Sequence, residues 1–187
     1  MTFKQIATSL SCMLVALSIS AFSQEKTPTT PTESCRAAVV DFYGWYGGKA
    51  LKHNRITDPE GTVKAKPNLF GRELRQELIS QFRAQDKAGN DLVSLDGDPF
   101  TGPDGPADRY IVKQVKVNDG KCRAEVYGVR NGKQGASPEV KPELEFQNSQ
   151  WRFGDFYFPG TSDSKWWSVK AQLRASRQKQ EAPNDHK

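Results

Sequence analysis

Apolar residues near the start of the folded part of the chain recur every three or four positions, which is the spacing of an amphipathic helix. Within residues 34–53 these positions are Val39, Phe42, Tyr43, Tyr46 and Ala50. The pattern predicts a first helix with Glu33 or Ser34 at its head. Gly47 and Gly48 either end this helix or interrupt it.

A second helix is predicted by apolar residues at a regular spacing of four, namely Phe70, Leu74, Leu78 and Phe82. Asn68 is suited to cap its first turn, and Gly89 is suited to end it. Residues 54–67, between the two helices, contain prolines and a glycine and therefore predict a loop.

The period of the apolar positions changes from about four to two after residue 109, which predicts β-strands. Four strands are predicted, at residues 110–117, 121–130, 143–147 and 151–158. Short turns rich in Asn, Asp, Gly and Ser separate them and indicate antiparallel hairpins. In the last strand the alternation of apolar and polar residues is interrupted near Gly154, which predicts a β-bulge or a bend.

Trp166, Val169 and Leu173 lie at helical spacing and predict a short C-terminal helix capped by Ser162 or Asp163. The predicted fold class is α+β, with N-terminal helices packed against a curved, antiparallel, four-stranded sheet and a short C-terminal helix. A bent sheet that closes over the helices would bury both apolar faces and leave a concave pocket.

The first 23 residues have the composition of a secretory signal peptide. Lys4 precedes an apolar run at residues 6–19, and small residues precede a cleavage position between Ser23 and Gln24. The run is too short to span a bilayer comfortably, so we expect a periplasmic or secreted protein without stable membrane insertion after signal removal. The predicted organisation is a signal peptide at 1–23, a flexible linker at 24–33, one α+β domain at 34–173 and a disordered basic tail at 174–187.

Charge and cysteine content narrow the classes of partner. The chain has 27 basic and 22 acidic residues, a formal net charge of +5. Their spread along the chain favours a solvated surface over a patch for an anionic polymer, and no nucleic-acid partner is predicted.

Of three cysteines, Cys12 lies in the signal peptide. In an oxidising compartment the other two, Cys35 and Cys122, are predicted to form a disulfide.

An acidic loop, SLDGDPFTGPDGPADRY at residues 94–110, follows the second helix. The favoured interpretation is that Asp96 and Asp98 accept backbone hydrogen bonds in successive turns. An irregular calcium loop is a second interpretation, although the EF-hand spacing fails because Phe100 and Ala107 occupy ligand positions. Contact with a ligand or protein at the mouth of a pocket is a third. Neither a metal nor a cofactor is predicted.

Signatures of catalysis are weak. His53 and His186 are the only histidines, no Gly-x-Ser-x-Gly turn is present, and two bridged cysteines leave too few ligands for zinc. A phosphate-binding glycine loop is also missing from the sequence. A non-enzymatic protein is therefore favoured. The alternative is a hydrolase or isomerase that uses pocket carboxylates, Asp41 or Asp98, with a tyrosine such as Tyr43.

Four aromatic residues crowd one part of the first helix, namely Phe42, Tyr43, Trp45 and Tyr46. They cannot all face the core, and exposed Trp and Tyr side chains favour interfaces. Trp45 therefore either packs in the core or lines a pocket and contacts a partner. The residues predicted to bind a protein or small ligand are Trp45, Tyr46, Asp96, Asp98 and Asp104.

Three short motifs, AAVVDFYGWY, the DPF of LDGDPF, and WRFGDF, resemble those of a family of exported bacterial domains of unknown function, over residues 39–158. The resemblance implies the cone-shaped, nuclear-transport-factor-2-like fold, in which helices pack into a curled sheet. It implies no catalytic residue, because the family has no known activity. Some relatives with this fold are enzymes that use an Asp base and a Tyr acid in the pocket, but no motif here places those roles, and the fold also hosts many non-enzymes. The predicted function is a non-enzymatic exported domain that recognises a protein or small ligand through its cone pocket and rim. An inhibitor or immunity partner of another exported protein fits this class.

Overall fold

The computed structural model describes residues 30–53, 57–88, 97–160 and 165–181. Within these residues the helices are α1 (Pro31–Lys52), α2 (Pro59–Ala65), α3 (Arg72–Ala88) and α4 (Val169–Glu181), with a 3₁₀ turn at Pro67–Leu69. The strands are β1 (Arg109–Asn118), β2 (Lys121–Arg130), β3 (Lys133–Gln134), β4 (Lys141–Gln147), β5 (Gln150–Pro159) and β6 (Trp166–Ser168). The predicted signal peptide, Asp96 and His186 lie outside the described residues.

The order of the elements confirms the α+β class. Helices α1 to α3 precede a curved antiparallel sheet, and α4 follows it. The strand order is β1-β2-β4-β5-β6, with β3 paired to β2. The described part of the chain thus contains six strands, and the prediction of four is wrong. Strands β3 and β6, with two and three residues, are too short to show a period of two.

Tight two-residue turns connect the long strands. The φ angles are 49° at Asp119 and 70° at Gly120 between β1 and β2, and 50° at Asn148 and 61° at Ser149 between β4 and β5. These left-handed values belong to turns whose twist matches that of the strands, which Asn, Asp and Gly favour. The hairpins expected from these turn sequences are therefore confirmed.

The predicted bulge in β5 is present. Glu143 of β4 lies opposite Asp155, whereas the next residue, Leu144, lies opposite Phe153. Gly154 is therefore the extra residue of the bulge. Because the bulge shifts the alternation by one, the later phenylalanines of β5 are buried like Phe153.

Helix α1 begins before its predicted head. The Thr30 hydroxyl accepts a hydrogen bond from the Glu33 N–H (3.2 Å), and the Glu33 carboxylate accepts one from the Thr30 N–H (3.1 Å). This capping box places Glu33 inside the first turn, so the end of the predicted linker is helical. The helix also runs through Gly47 and Gly48. A Cβ at Gly47 would lie 3.0 Å from the Tyr110 ring, so this glycine lets β1 approach α1 closely.

Helix α2 lies in the stretch predicted as a loop. Asp58 caps it by accepting a hydrogen bond from the Gly61 N–H (2.8 Å), and Pro59 follows as the first helical residue. An Asp-Pro-x-Gly sequence predicts a turn as readily as a helix start. The burial of the apolar Val63 side chain stabilises the helical alternative.

Helix α3 begins later than predicted. Asn68 lies in the 3₁₀ turn and does not cap the helix, whose first residue is Arg72. The Gly71 N–H donates to the Phe153 carbonyl (2.8 Å), so the chain is tied to β5 before the helix starts. The apolar face of α3 is buried as predicted, through Leu74, Leu78 and Phe82.

The predicted disulfide between Cys35 and Cys122 is present and joins α1 to β2. Both cysteines are fully buried in the main hydrophobic core. A disulfide of this kind fits an oxidising extracellular compartment. Among the described residues, no helix has both the length and the apolar character needed to cross a membrane.

The region before α4 differs from the prediction. Trp166 lies in strand β6, and α4 begins three residues later. The buried Asp155 carboxylate accepts hydrogen bonds from the Lys170 N–H (3.0 Å) and the Ser168 hydroxyl (2.5 Å). A side chain of β5 therefore accepts a hydrogen bond from a backbone N–H in the first turn of the helix, where no partner exists within the helix itself. The predicted caps, residues 162–163, lie outside the described part of the chain.

Helix α4 continues beyond residue 173 into the segment predicted as a disordered tail, and ends at Glu181. Arg174 and Arg177 donate hydrogen bonds to the buried Glu77 carboxylate of α3, at 3.2 and 3.1 Å. Ion pairs rather than apolar contacts thus hold this part of the helix. A helix end that is held by ion pairs cannot be predicted from the spacing of apolar residues.

Candidate functional site

Three tyrosine hydroxyls hold the acidic loop against α1 and β1. Tyr43 donates to the Phe100 carbonyl (2.9 Å), and Tyr46 donates to the Asp98 carboxylate (2.5 Å). The Tyr110 hydroxyl accepts a hydrogen bond from a backbone N–H of the loop, at 2.9 Å. Because Tyr43 and Tyr46 are three residues apart on one helix, they reach the loop side by side.

Both carboxylate oxygens of Asp98 are used within the fold. Oδ1 accepts hydrogen bonds from the N–H groups of Phe100 (2.7 Å) and Thr101 (3.0 Å), while Oδ2 accepts the bond from Tyr46. This is the turn-capping role that the sequence favours for the loop aspartates. A role for Asp98 as a general base would require breaking these bonds.

The pKa values of the three tyrosines are raised. Burial is the main cause for Tyr43 and Tyr46, and the nearby Asp98 carboxylate raises both pKa values further. Burial also raises the pKa of Tyr110 to about 12. All three hydroxyls therefore stay protonated at neutral pH, which suits hydrogen bonding to the loop and not proton transfer.

The Asp-Pro-Phe motif anchors the loop in the core. The Phe100 side chain is fully buried, and its ring lies 5.3 Å from that of Phe70 and 5.2 Å from that of Phe156, measured between centroids. Gly102 has a φ of 83°, and a Cβ there would lie 2.9 Å from the Phe158 ring. Glycine is required at this position because both the backbone conformation and the close contact exclude a side chain.

Replacing Asp98 by alanine is expected to lower the free energy of unfolding by about 2–3 kcal/mol, because the Tyr46 hydroxyl and two backbone N–H groups lose their acceptor. Urea unfolding followed by circular dichroism measures the loss. Tyr46→Phe is the matched control, since it removes one of the three bonds and is expected to cost about 1 kcal/mol. An alanine variant as stable as the wild type would contradict the structural role of Asp98.

A groove of about 490 Å³ lies between α1, the 3₁₀ turn and the β4–β5 turn. We call it the aromatic groove, and its principal lining residues are Asp41, Trp45, Lys66, Leu69, Phe146 and Trp151. Phe146 is 53% exposed, more than the other exposed large apolar residues of the described chain, Val40 and Leu51. The volume is typical of ligand pockets.

Fixed contacts hold the aromatic walls of the groove. The rings of Phe146 and Trp151 pack together with centroids 5.1 Å apart, and the Trp151 Nε1–H donates to the Ser34 hydroxyl (2.9 Å). The Trp45 ring lies 6.4 Å from that of Phe42, at the edge of the core. Trp45 therefore combines both roles considered from the sequence, since it packs on the core and lines a pocket.

Lysines and one aspartate set the charge of the groove. The Lys66 and Lys49 ammonium groups lie 4.7 and 5.9 Å from the centre of the Trp45 ring, within the range of cation–π interactions. The exposed Asp41 carboxylate has no ion-pair partner among the described residues. Lys66 and Asp41 therefore give the groove one positive and one negative group, neither of which has an ion-pair partner among the described residues.

A separate cavity of about 570 Å³ lies at the C-terminal end of α1, with Tyr46 and His53 in its lining. Lys49, Lys52 and Asp58 supply its charged groups. Thr57 also lines it, and no serine or cysteine occurs among its described lining residues.

The predicted binding residues do not form one site. Tyr46 and Asp98 meet, but they do so where the loop is attached to α1. Trp45 lines the aromatic groove, whereas Asp104 is exposed on the loop and lines neither cavity. Asp96 lies outside the described residues. A binding role for these residues stays a prediction.

Neither Phe146 nor Trp151 belongs to the binding residues predicted from the sequence. They are cross-strand partners, placed symmetrically about the turn Asn148-Ser149. An aromatic pair that flanks a two-residue turn is the signal that could have revealed them, because such a pair shares one face of the hairpin.

No group of three or more side chains suited to binding a metal occurs in the described part of the chain. The calcium interpretation depends on Asp96, which lies outside that part, and so it stays a hypothesis. Asp98 would have to exchange its hydrogen bonds for metal coordination.

No protein-family model, no curated protein and no solved structure matches this chain. The resemblance of its three motifs to an exported bacterial family, and the cone-shaped fold it implies, therefore stay predictions. Function has to be argued from the residues themselves.

Proposed function

We propose that this protein is a non-enzymatic binding domain whose aromatic groove receives an apolar segment of a partner protein. The observation that carries the proposal is the exposure of Phe146 beside Trp151 and Trp45 in a groove with fixed walls. Contact with a partner would remove this apolar surface from water.

The composition of the groove matches that of binding hot spots. Large aromatic residues contribute much of the affinity of protein interfaces when a partner covers them completely. The hydrogen bond of Trp151 and the ring contact of Phe146 hold these side chains in place before binding. Little conformational entropy is therefore lost when the partner binds.

Charge indicates the chemistry of the partner segment. Lys66 already interacts with the Trp45 ring, whereas Asp41 is exposed on the groove wall without an ion-pair partner among the described residues. A segment with a large apolar side chain for the aromatic walls and a lysine or arginine placed beside Asp41 would complement these parts of the groove.

The compartment restricts the partner to exported or extracellular proteins. The buried disulfide fits an oxidising environment, and export is what the first 23 residues predict. Recognition of another exported protein, as by an inhibitor or immunity protein, belongs to this class of function.

The enzymatic alternative is supported less well by the geometry. The Tyr43 hydroxyl is bonded to the Phe100 carbonyl, and both oxygens of Asp98 accept hydrogen bonds. Asp41 and Tyr43 are two residues apart on α1, a rotation of about 200°, so their side chains leave opposite faces of the helix. These groups do not converge as an acid–base pair.

Selection of peptides from a phage-displayed library, followed by calorimetric titration, tests the proposal. We expect the selected peptides to contain an aromatic or large aliphatic residue next to lysine or arginine. Phe146→Ser is expected to weaken their binding by about 30-fold, the effect of losing a hot-spot residue. Asp41→Asn is expected to weaken only the binding of peptides that carry a cation.

Val40→Ser is the matched control. Val40, which lies on α1, is also an exposed apolar residue, at 48%, but it does not line the groove. Selected peptides that bind the Phe146→Ser variant as tightly as the wild type, or that lose equal affinity in the Val40→Ser variant, would refute the groove as the binding site.

A further inference from the structure

The side of the sheet that faces away from α1 is charged. In β2, Cys122 and Ala124 are buried toward α1, so the alternating residues Arg123 and Glu125 point away from it. We call this side the outer face. Its basic residues are Lys113, Lys116, Lys121, Arg123, Lys141 and Arg152, and its acidic residues are Glu125, Glu143, Glu145 and the buried Asp155.

The basic residues of the outer face exceed the carboxylates available to them. The three glutamates are already paired with cations of the same face, Glu125 with Lys141, Glu143 with Arg123, and Glu145 with Lys121. The buried Asp155 carboxylate accepts hydrogen bonds from the Ser168 hydroxyl and the Lys170 N–H. No carboxylate of the described residues pairs with Lys113, Lys116 or Arg152. The face therefore keeps unpaired positive charge and would attract an anion.

A trough of about 310 Å³ crosses this face. Its lining extends from Lys116 on β1 to Trp166 on β6, and includes Arg123, Lys141 and Tyr157. The path from β1 to β6 passes four strand-to-strand spacings, a length of about 19 Å at about 4.8 Å per spacing. A trough of this length fits an extended chain better than a compact anion.

Cations cover aromatic rings along the outer face. The Arg123 guanidinium lies 4.8 Å from the centre of the Tyr157 ring, and the Lys141 ammonium lies 4.2 Å from that of Trp166. Nucleic-acid bases stack on open aromatic faces in single-strand binding proteins. Rings covered by cations do not present such platforms, whereas the cations themselves remain available to acidic groups.

We infer that the outer face binds an acidic polysaccharide, a flexible chain that follows the trough and whose carboxylates or sulfates contact Lys116 in the trough and the other unpaired cations of this face, Lys113 and Arg152. The excess of positive charge supplies the attraction, and the length of the trough supplies the preference for a polymer. This site lies on the opposite side of the sheet from α1 and is independent of the aromatic groove.

Fluorescence anisotropy with labelled polygalacturonate, at low and at physiological ionic strength, tests the inference, with neutral dextran as the uncharged control. Changing Lys113 and Lys116 together to glutamate is expected to lower the affinity about tenfold or more, since two attractive contacts become repulsive. Arg83 and Lys179, exposed on α3 and α4, changed together to glutamate form the control with the same change of net charge. Phe146→Ser is expected to leave polysaccharide binding unchanged, which separates this site from the groove.

Circular dichroism of both double variants establishes that they are folded. Equal losses of affinity in both would show that only net charge matters and would overturn the inference. So would the absence of polygalacturonate binding by the wild type at low ionic strength. A labelled oligothymidylate that binds more tightly than polygalacturonate, and that loses affinity with Lys113 and Lys116, would replace the polysaccharide by single-stranded nucleic acid.

Discussion

Replacing both Cys35 and Cys122 by alanine is expected to lower the free energy of unfolding by about 4–5 kcal/mol in the chain-entropy account of disulfides. The bond joins residues 87 apart in the sequence. Without it the unfolded chain gains many conformations, while the folded chain keeps its other contacts between α1 and β2. A small domain of ordinary stability, about 5–15 kcal/mol, would lose a large part of that stability.

Urea unfolding followed by tryptophan fluorescence measures this change. Wild-type protein equilibrated with a reductant in urea is the matched control, because it lacks the bond but keeps both sulfurs. We expect it to unfold at nearly the same urea concentration as the double alanine variant. A variant that stays within about 1 kcal/mol of the oxidised wild type would show that the bond contributes little to stability.

Phe42→Ala is expected to cost about 3–5 kcal/mol of unfolding free energy, the range for removing a buried phenylalanine. Phe42 is 2% exposed. Its ring lies 4.7 Å from that of Phe153 in β5 and 5.6 Å from that of Phe100 in the acidic loop, between centroids. The side chain thus joins α1, the loop and the sheet, and no single neighbour can move to fill the space it would leave.

Phe146→Ala supplies the matched control, with the same side-chain change at a site that is 53% exposed. We expect it to cost less than about 1 kcal/mol, because most of the Phe146 ring is already in water. Thermal unfolding of both variants by circular dichroism gives the comparison. Similar losses in the two variants would mean that Phe42 is not the centre of the core.

Elements with strong local signals could be predicted from the sequence. The apolar face of α3 and the long hairpins repeat a clear period over many residues, and their turns contain residues that tolerate positive φ. The slip at Gly154 was visible because it interrupts a regular alternation. The disulfide followed from the number of cysteines, since only Cys35 and Cys122 remain after the predicted signal peptide.

Elements stabilised from a distance could not be predicted in this way. Helix α2 has a start sequence that suits a turn equally well, and its burial decides the outcome. The last part of α4, residues 174–181, has no apolar face in its sequence, and ion pairs of Arg174 and Arg177 with Glu77 of α3 support it. The Asp155 carboxylate of β5 accepts hydrogen bonds from the Ser168 hydroxyl and the Lys170 N–H at the start of α4. No local sequence pattern indicates this contact between β5 and α4.

In the candidate site too, the residue types could be predicted from the sequence, whereas their contacts could not. The residue types and local patterns of Trp45, Tyr46 and Asp98 predict a binding role. The hydrogen bond between Tyr46 and Asp98 joins residues 52 apart in sequence, so no local pattern predicts it. The Trp151 ring is fixed by Ser34, 117 residues away. Only folding determines that Tyr46 and Asp98 support the loop while Trp45 joins Phe146 and Trp151 in a groove.

The sequence by itself determined the α+β order of the elements, the buried faces of the long helix and strands, and the pairing of the two cysteines. These follow from short periods and from residue chemistry, which act between near neighbours along the chain. Tertiary structure alone decided which polar side chains are used inside the fold and which face solvent. That choice depends on hydrogen bonds, ion pairs and ring contacts between residues far apart in sequence, and these exist only once α1 has packed on the sheet.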